Sequence, residues 1–198
     1  MILLELGNPG GPLNPIKMEE AIQEVQAGDR QAFTTIITAF ERQIYTYCYY
    51  FLRSHEEAED AVQDIFVKVY QQLKRYERRV SFSAWLYKVA YHHCLDQLRR
   101  RKRRSRLLSL YKLQLVPHQQ TLPEESPVDR MFEDLNPEER GLLILRVIEQ
   151  YSFEEIAMIT GSSSAALRKK YERLRKKLIQ QKADEGGGCA HGEVAKSN

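Results

Sequence analysis

The spacing of apolar residues predicts helices along most of this chain and gives almost no sign of strands. In residues 30–53 apolar side chains recur every three or four positions, as on one face of a helix. These residues are Phe33, Ile36, Ile37, Phe40, Ile44, Tyr47 and Phe51. Other helices are predicted at about 17–27, from about Ser54, from about Ser83, and over 164–181. The predicted fold class is therefore all-α.

A break in this pattern divides the chain into two domains. Residues 107–128 lose the helical periodicity and contain Pro117, Pro123 and Pro127, which is typical of a linker. Residues 17–106 and 129–182 are then two small helical domains on a flexible tether. Residues 1–16 are a predicted flexible leader, unless Met18 is the start, and the composition of residues 183–198 predicts a disordered tail.

Capping residues mark the predicted helix starts. Ser54 and Ser152 are each followed three residues later by a glutamate, which is the spacing of a capping box. Asn136 is followed by proline and then by two glutamates, and this is a typical N-terminus of a helix. Gly28 and Gly161 are predicted to stop the helices before them.

The charges of the chain are segregated. The 198 residues are 42% hydrophobic and 29% charged, as in a soluble globular protein, and the net charge is only +3. Residues 56–64 nevertheless contain five acids, whereas 99–106 and 168–177 are strongly basic. Such segregation indicates two kinds of partner, one basic and one anionic.

The cysteines and the apolar runs bear on location. Cys48, Cys94 and Cys189 are odd in number and widely spaced, so they predict no disulfide framework and favour a reducing cytoplasm. No apolar run has the length that a membrane span needs, and the N-terminus makes a poor signal peptide. We therefore expect a cytoplasmic protein that does not itself insert into a membrane.

An acidic face is predicted on the helix over residues 56–74. On a helical wheel one side is an apolar stripe formed by Ala58, Ala61, Val62, Ile65, Phe66, Val69 and Leu73. The other side carries Asp60, Gln63, Asp64, Val67, Gln71 and Lys74. This side is either a docking surface for a basic helical partner, with Val67 as its apolar centre, or a solvated face with one stray valine.

An aromatic and basic helix follows, over residues 82–104. Seven of the eight residues 99–106 are Lys or Arg, and such a block faces water or a polyanion because buried uncompensated charge is prohibitive. Leu86, Val89, Ala90 and His93 are predicted to face inward, and another face carries Trp85, Lys88, His92, Asp96 and Arg99. Lys88 and Arg99 can contact phosphates, while Trp85 and Phe82 can stack on exposed bases. The alternative is an amphipathic helix with a core tryptophan and solvated charges.

The residues His92, His93, Cys94 and Asp96 raise the possibility of a metal site. His92 and Asp96 are spaced i,i+4, but the adjacent histidines point to different faces, so the set does not converge. No phosphate-binding glycine loop and no nucleophile–base set is evident. We therefore expect no metal, no cofactor, no small-molecule substrate and no enzymatic activity, although a metal-dependent enzyme using His92 and Asp96 stays an alternative.

Residues 153–178 predict a helix-turn-helix motif with its turn at Gly161. On the second helix, Leu167, Leu174 and Leu178 form the inner stripe. The opposite face carries Ala165, Arg168, Lys169, Glu172, Arg173 and Lys176. Long donors and one acceptor on such a helix can reach base edges in the major groove, flanked by cations for phosphates. The alternative is a surface helix with a solvated basic face.

The order of these parts resembles bacterial RNA polymerase sigma factors of the extracytoplasmic-function group. The stretches GDRQAF, AEDAVQDIFVKVY and FSAWLYKVAYHHCLDQLRRRKRR are similar to sigma region 2. The stretch LNPEERGLLILRVIEQYSFEEIAMITGSSSAALRKKYERLRKKL is similar to region 4. The resemblance covers about residues 18–180 and implies a transcription initiation factor that carries core polymerase to promoters.

The resemblance also implies roles for individual residues. The residues that would bind the clamp helices of the largest polymerase subunit are Asp60, Gln63, Asp64, Val67 and Gln71. Those that would melt and read the −10 element are Tyr76, Arg78, Arg79, Ser81, Phe82, Trp85, Lys88, His92, Arg99 and Arg100. Those that would read the −35 element are Ser164, Ala165, Arg168, Lys169, Glu172, Arg173 and Lys176. The polymerase flap is a further expected contact, the DNA is both double- and single-stranded, and an anti-sigma factor is the expected regulator.

Two departures from the family pattern affect DNA reading. His92 stands where the family usually has Asn, and Ala165-Ala166-Leu167-Arg168 replaces the usual Gly-Thr-Val-Lys, which removes a phosphate-contacting hydroxyl. The linker still spans about 70–80 Å when extended, against about 50–70 Å between the two promoter elements. A free-standing DNA-binding regulator, which would need the helix-turn-helix but not the acidic face, is the alternative function.

Overall fold

The computed structural model describes residues 15–78, 80–110, 131–132 and 134–187, and every regular element within them is helical. The first half consists of helices α1 Pro15–Ala27, α2 Ala32–Leu52, α3 His55–Leu73 and α4 Phe82–Leu110. The second half contains α5 Pro137–Leu143, α6 Phe153–Thr160 and α7 Ser164–Gly187. A π-helical turn, Ile144–Ile148, continues α5. The predicted all-α fold is confirmed.

The helix starts follow from the predicted caps. The Ser54 hydroxyl accepts from the backbone N–H of Glu57 at 3.2 Å at the start of α3. A full capping box forms at α5, where Asn136 and Glu139 exchange bonds of 3.0 Å, and another forms at α6 from Ser152. These bonds satisfy N–H groups that have no partner within the helix.

The core of the first domain is built on the apolar stripe of α3. All seven residues that the wheel assigned to that stripe are buried, and they pack against α2 and α4. The prediction of the buried face of α3 is therefore confirmed. Because packing holds this face in the core, the opposite face of α3 always faces solvent.

The second domain contains the predicted helix-turn-helix. Gly161 ends α6 with a φ of 74°, a left-handed conformation that glycine adopts at little cost. The Ser163 hydroxyl accepts from the backbone N–H of Ala166 at 3.2 Å and so caps α7. Ile156 and Ile159 of α6 and Leu167 and Leu174 of α7 are buried between the helices.

Some helix ends lie beyond the expected positions. Helix α4 continues to Leu110, into the segment predicted as linker, and α7 continues to Gly187, into the predicted tail. The extension of α4 is Leu-Leu-Ser-Leu, and that of α7 includes Ala183 and Glu185. Leucine, alanine and glutamate have a high intrinsic helix propensity, which lets a helix continue past its last buried residue. The rest of the predicted leader, linker and tail lies outside the described residues.

The two domains pack against each other, which the sequence did not predict. The rings of Tyr50 and Phe132 stack at 4.6 Å between centroids, and those of Tyr87 and Tyr151 meet edge-on at 5.6 Å. Helix α6 contacts α4, and α5 contacts α2. The domain boundary is thus also an aromatic interface.

Candidate nucleic-acid interface

The outer face of α3 combines carboxylate, amide and apolar groups in one exposed surface. Asp60, Gln63, Asp64 and Gln71 are exposed, and Val67 between them is 55% exposed, which is high for a valine in a folded domain. We call these five residues the docking face. Its chemistry suits a partner helix that offers basic side chains around an apolar contact.

A buried histidine ties the docking face to α4. The Lys68 ammonium of α3 donates to Nδ1 of His93 at 2.6 Å, and Nε2 of His93 lies 3.8 Å from the Asp64 carboxylate. Burial lowers the pKa of His93, the Lys68 charge lowers it further, and Asp64 opposes the shift. The ring is therefore neutral at neutral pH, and its Nε2–H points toward Asp64.

The histidines of α4 do not converge on a metal site. His92 is exposed, whereas His93 is buried against α3. Among the described residues no group of three or more His, Cys, Asp or Glu side chains is placed to hold a metal ion.

An aromatic cluster lies where α2, the loop after α3 and the start of α4 meet. Phe82 is at its centre, with ring centroids 5.6 Å from Tyr76, 5.6 Å from Trp85 and 5.7 Å from Phe40. Phe82 is only 7% exposed, so in this conformation it cannot stack on a base as the sequence suggested. Trp85 and Tyr76 are half-buried and keep part of their rings accessible.

The loop between α3 and α4 is held by its own hydrogen bonds. The Tyr76 hydroxyl donates to the carbonyl of Val80 at 2.9 Å, and the Ser81 hydroxyl accepts from the N–H of Ala84 at 3.3 Å. The guanidinium of Arg78 lies 3.8 Å from Glu19 and is largely exposed. Arg79 lies outside the described residues. The loop therefore lies beside the rings of Tyr76 and Trp85, which are the partly accessible members of the aromatic cluster.

The basic end of α4 stands in solvent. Lys88, His92, Arg99 and Arg100 are exposed, as are all residues from 99 to 107. Arg99 pairs with Asp96 at 3.2 Å and Arg101 with Glu57 at 3.3 Å, and such exposed pairs are worth little. The cations are therefore free to exchange these partners for phosphates.

The outer face of α7 carries the residues predicted to read a major groove. Ala165, Lys169, Glu172, Arg173 and Lys176 are exposed and Ser164 is half-buried. Arg168 differs from them, because it forms a 2.6 Å ion pair with Glu154 and lies over the Phe153 ring at 5.7 Å. Both partners of this ion pair are exposed, so the pair is worth little and phosphate can replace Glu154 at small cost.

The interdomain face was not predicted from the sequence. It consists of Tyr47, Tyr50, Phe51, Ser83, Tyr87, Phe132, Arg140, Gly141, Glu149 and Tyr151. The sequence did contain a signal, because Tyr47–Leu52 is an uninterrupted run of apolar and aromatic residues. A helix that is apolar all round needs partners on more than one side, and all six residues are buried.

Comparison with known proteins assigns both domains. Residues 36–104 match the family model for sigma-70 region 2, and residues 126–178 match that for sigma-70 region 4. Together these matches cover more than half of the chain. Within the described residues, no helix is long and apolar enough to cross a bilayer.

Relatives with the same plan match over most of their length. The ECF RNA polymerase sigma factor SigW of Bacillus subtilis is 27% identical over 184 residues, which are 84% of this chain and 97% of that protein. SigX of the same organism is 26% identical and covers 75% of this chain and 88% of its own length. The fold is similar to that of CnrH in complex with the cytosolic domain of CnrY, with a TM-score of 0.63 at 20% identity over 86% of this chain and 99% of that chain. It is also similar to RpoE in complex with the anti-sigma factor NepR from Bartonella quintana, with a TM-score of 0.62 at 20% identity over 75% and 94% of the two chains.

A helical domain with an aromatic-basic helix, joined to a helix-turn-helix domain, defines a promoter-recognition subunit of RNA polymerase. The chain belongs to the sigma-70 family, in its extracytoplasmic-function group. It is a sigma factor, which directs RNA polymerase to promoters.

Proposed function

We propose that three separate surfaces of this sigma factor carry out polymerase docking, −10 recognition and −35 recognition. The docking face of α3 binds the clamp helices of the largest polymerase subunit. The accessible parts of the Tyr76 and Trp85 rings, together with the cations of α4, hold the melted −10 strand. The outer face of α7 reads the −35 element in the major groove, and region 4 also contacts the polymerase flap.

The docking face is the observation that carries this proposal. A DNA-binding regulator that works alone has no use for an exposed valine among carboxylates and amides on α3. Its fixed position, opposite a fully buried stripe, gives a partner a rigid surface with little ordering entropy to lose.

Capture of the −10 strand follows from the exposed chemistry of α4. Aromatic rings stack on unstacked bases irrespective of sequence, and each such contact is worth about 1–3 kcal/mol. Melting costs about 1.4 kcal/mol per base-pair step, so one or two captured bases offset part of that cost. Polymerase contacts must supply the rest, since we infer that the chain has no enzymatic activity and uses no nucleoside triphosphate.

Regulation by an anti-sigma factor is part of the proposal. RpoE and NepR form a sigma–anti-sigma complex, and their sigma subunit shares this fold. We propose that a comparable partner covers the DNA-binding surfaces of this chain until a signal releases it in the cytoplasm, where polymerase is available.

The test is a binding and transcription assay with sigma-free core polymerase and a pool of promoter fragments. The docking variant is the double charge reversal Asp60→Lys with Asp64→Lys. The matched control is Glu20→Lys with Glu24→Lys, which makes the same charge change on exposed residues of α1. We expect the docking variant to lose both co-elution with core and specific transcripts, while the control keeps both.

Two results would contradict the proposal. Equal loss in both variants would mean that net charge, not the docking face, governs binding. Promoter binding by the wild type without any association with polymerase would instead support the free-standing regulator.

A further inference from the structure

His93 is a polar side chain whose burial needs an explanation. It lies within α4, far from the helix ends, and is 8% exposed. Ser54 is also buried, but its hydroxyl has a clear role as the cap of α3. A polar group buried in the middle of a helix is costly unless its side chain has partners of its own. The partners of the His93 ring therefore indicate what it does.

Both polar partners of the His93 ring come from α3. The Lys68 ammonium has only donors, so the ring nitrogen 2.6 Å from it, Nδ1, is the acceptor. The neutral ring then carries its proton on Nε2, which lies 3.8 Å from the Asp64 carboxylate. His93 thus accepts a hydrogen bond from a cation on one side and turns an N–H toward an anion on the other.

Lys68 and Asp64 are also suited to pair with each other. They are four residues apart on α3 with the acid nearer the N-terminus, which is the spacing and order that favour an ion pair on a helix. In the part of the chain that the structure describes, the Lys68 ammonium is bonded to His93 and forms no ion pair with Asp64. The Asp64 side chain is 70% exposed.

The position of the Lys68 ammonium matters because Asp64 belongs to the docking face. An ammonium paired with Asp64 would neutralise one of the two carboxylates of that face. It would also place a positive charge where the proposed partner helix brings its own basic side chains, and like charges across an interface oppose association. Bonded to His93, Lys68 is half-buried and its charge is directed toward α4.

We propose that His93 is a positioning residue for polymerase docking: its Nδ1 holds the Lys68 ammonium away from Asp64 and so keeps the Asp64 carboxylate open to a basic partner. The inference rests on the proposed function, since it explains how one carboxylate of the docking face is kept available. His93 acts through Lys68 and Asp64, because its own ring is buried and does not reach the surface that polymerase contacts.

A purely structural role for His93 makes a different prediction. If the ring only fills space between α3 and α4, replacing it weakens binding through altered packing, and the identity of residue 68 is irrelevant. If the ring holds Lys68, the defect disappears once the lysine is also removed. A double-mutant cycle between the two residues separates these roles.

The test measures the affinity of the full chain for core polymerase by titration. His93→Phe replaces the imidazole by a ring that cannot accept a hydrogen bond, and Lys68→Met removes the ammonium but keeps an unbranched side chain. The matched control is Lys17→Met, which makes the same charge change on an exposed residue of α1. Circular dichroism checks that the helix content is unchanged, and His93→Leu replaces His93→Phe if it is not.

We expect His93→Phe to weaken binding about twofold to fivefold, which is the range that an exposed ion pair accounts for. Adding Lys68→Met should restore the affinity, whereas adding Lys17→Met should not. In the wild-type background, Lys68→Met should change the affinity no more than Lys17→Met does. Nitrogen NMR of labelled histidine in the intact chain should show His93 protonated on Nε2 and not on Nδ1.

Three results would overturn the inference. The double variant could remain as weak as His93→Phe, Lys68→Met alone could weaken binding as much as His93→Phe does, or His93→Phe could bind like the wild type. A ring protonated on Nδ1 at neutral pH would overturn it as well, whatever the variants do. In all these cases the wild type still binds polymerase, whereas the proposed function fails only if the wild type does not.

Discussion

Trp85 is the residue on which the proposed capture of the −10 strand depends most. It packs on Tyr76 at 5.0 Å and on Phe82 at 5.6 Å, and it is half-buried. The buried side of its ring fixes the orientation, and the accessible side is left for a base. Phe82 supports this arrangement from within rather than contacting DNA.

We predict that Trp85→Ala weakens binding of the holoenzyme to a single-stranded −10 oligonucleotide by between about fivefold and a hundredfold, the range expected for one lost base stack. Fluorescence anisotropy measures the affinity. Trp85→Phe keeps a ring and should retain most of the binding. Unchanged affinity of Trp85→Ala, in a variant that still binds core polymerase, would remove Trp85 from the −10 site.

The cap of α6 gives a prediction for the helix-turn-helix as an element. Ser152 accepts from the N–H of Glu155 at 3.2 Å and donates to its carboxylate at 2.8 Å. We expect Ser152→Ala to lower the free energy of unfolding by about 1 kcal/mol, as is usual for a lost N-cap. Urea denaturation measures this quantity.

The control for this measurement is Ser162→Ala, since Ser162 is exposed in the turn just before α7 and Ser163, rather than Ser162, caps that helix. An equal loss of unfolding free energy in both variants would mean that the effect does not come from the cap of α6.

The packing of the π-helical turn and its neighbours against α4 predicts a pH dependence. Burial raises the pKa of the Glu149 carboxyl, and the Tyr87 hydroxyl partly offsets this shift. The other titratable group beside it is Tyr151, whose pKa is raised to about 12, so neither tyrosine ionises in the acid range. We call the arrangement with the two domains in contact the packed state and the arrangement with the domains apart the open state. In the open state Glu149 is hydrated and has its ordinary pKa.

The packed state therefore binds the Glu149 proton more tightly than the open state. Its added stability is complete below the ordinary carboxyl pKa and is lost as the pH rises through the raised pKa of the packed state. We predict that the radius of gyration falls from neutral to mildly acidic pH, and that Glu149→Gln removes this dependence. If the radius of gyration rises on acidification in the wild type but not in Glu149→Gln, protonated Glu149 stabilises the open state and the prediction is wrong.

Helical periodicity predicted which face of an element is buried, but not what covers it. The buried stripe of α3 follows from the apolar spacing because one face packs on one core. On α4 the same reasoning found the region 2 stripe and missed the face of Tyr87, because the spacing of apolar residues carries no information about a second domain that packs on the helix. The burial of Phe82 was missed for a related reason, since its partners Phe40 and Tyr76 come from other elements.

The roles of the docking face, the −10 residues and the −35 residues stay predictions from resemblance and exposed chemistry. The exposure of the docking face followed from the helical wheel. The pairing of Arg168 with Glu154 did not, because it joins two helices whose crossing geometry depends on the turn at Gly161.

At the scale of the whole molecule, the shared interface predicts how the chain unfolds. Domains that bury aromatic residues in each other unfold together when the interface contributes to the stability of both. We expect one transition in calorimetry for the wild type and two for Gly141→Leu, because a leucine at this position would clash with the Phe51 ring and uncouple the domains. Two separate transitions in the wild type would show that the interface adds little to either domain.

The chain between Leu110 and Met131 has a consequence for how strong that interface needs to be. A domain tethered to its partner through about twenty residues meets it at an effective concentration on the order of 1 mM. A contact with an intrinsic dissociation constant of about 0.1 mM, too weak to detect between separate domains at ordinary concentrations, would then be formed about nine-tenths of the time. A partner that binds only the separated domains would lose only about tenfold in apparent affinity to it. Covalent connection thus lets a contact of negligible intermolecular affinity keep the two domains together. A partner of nanomolar affinity can still separate them.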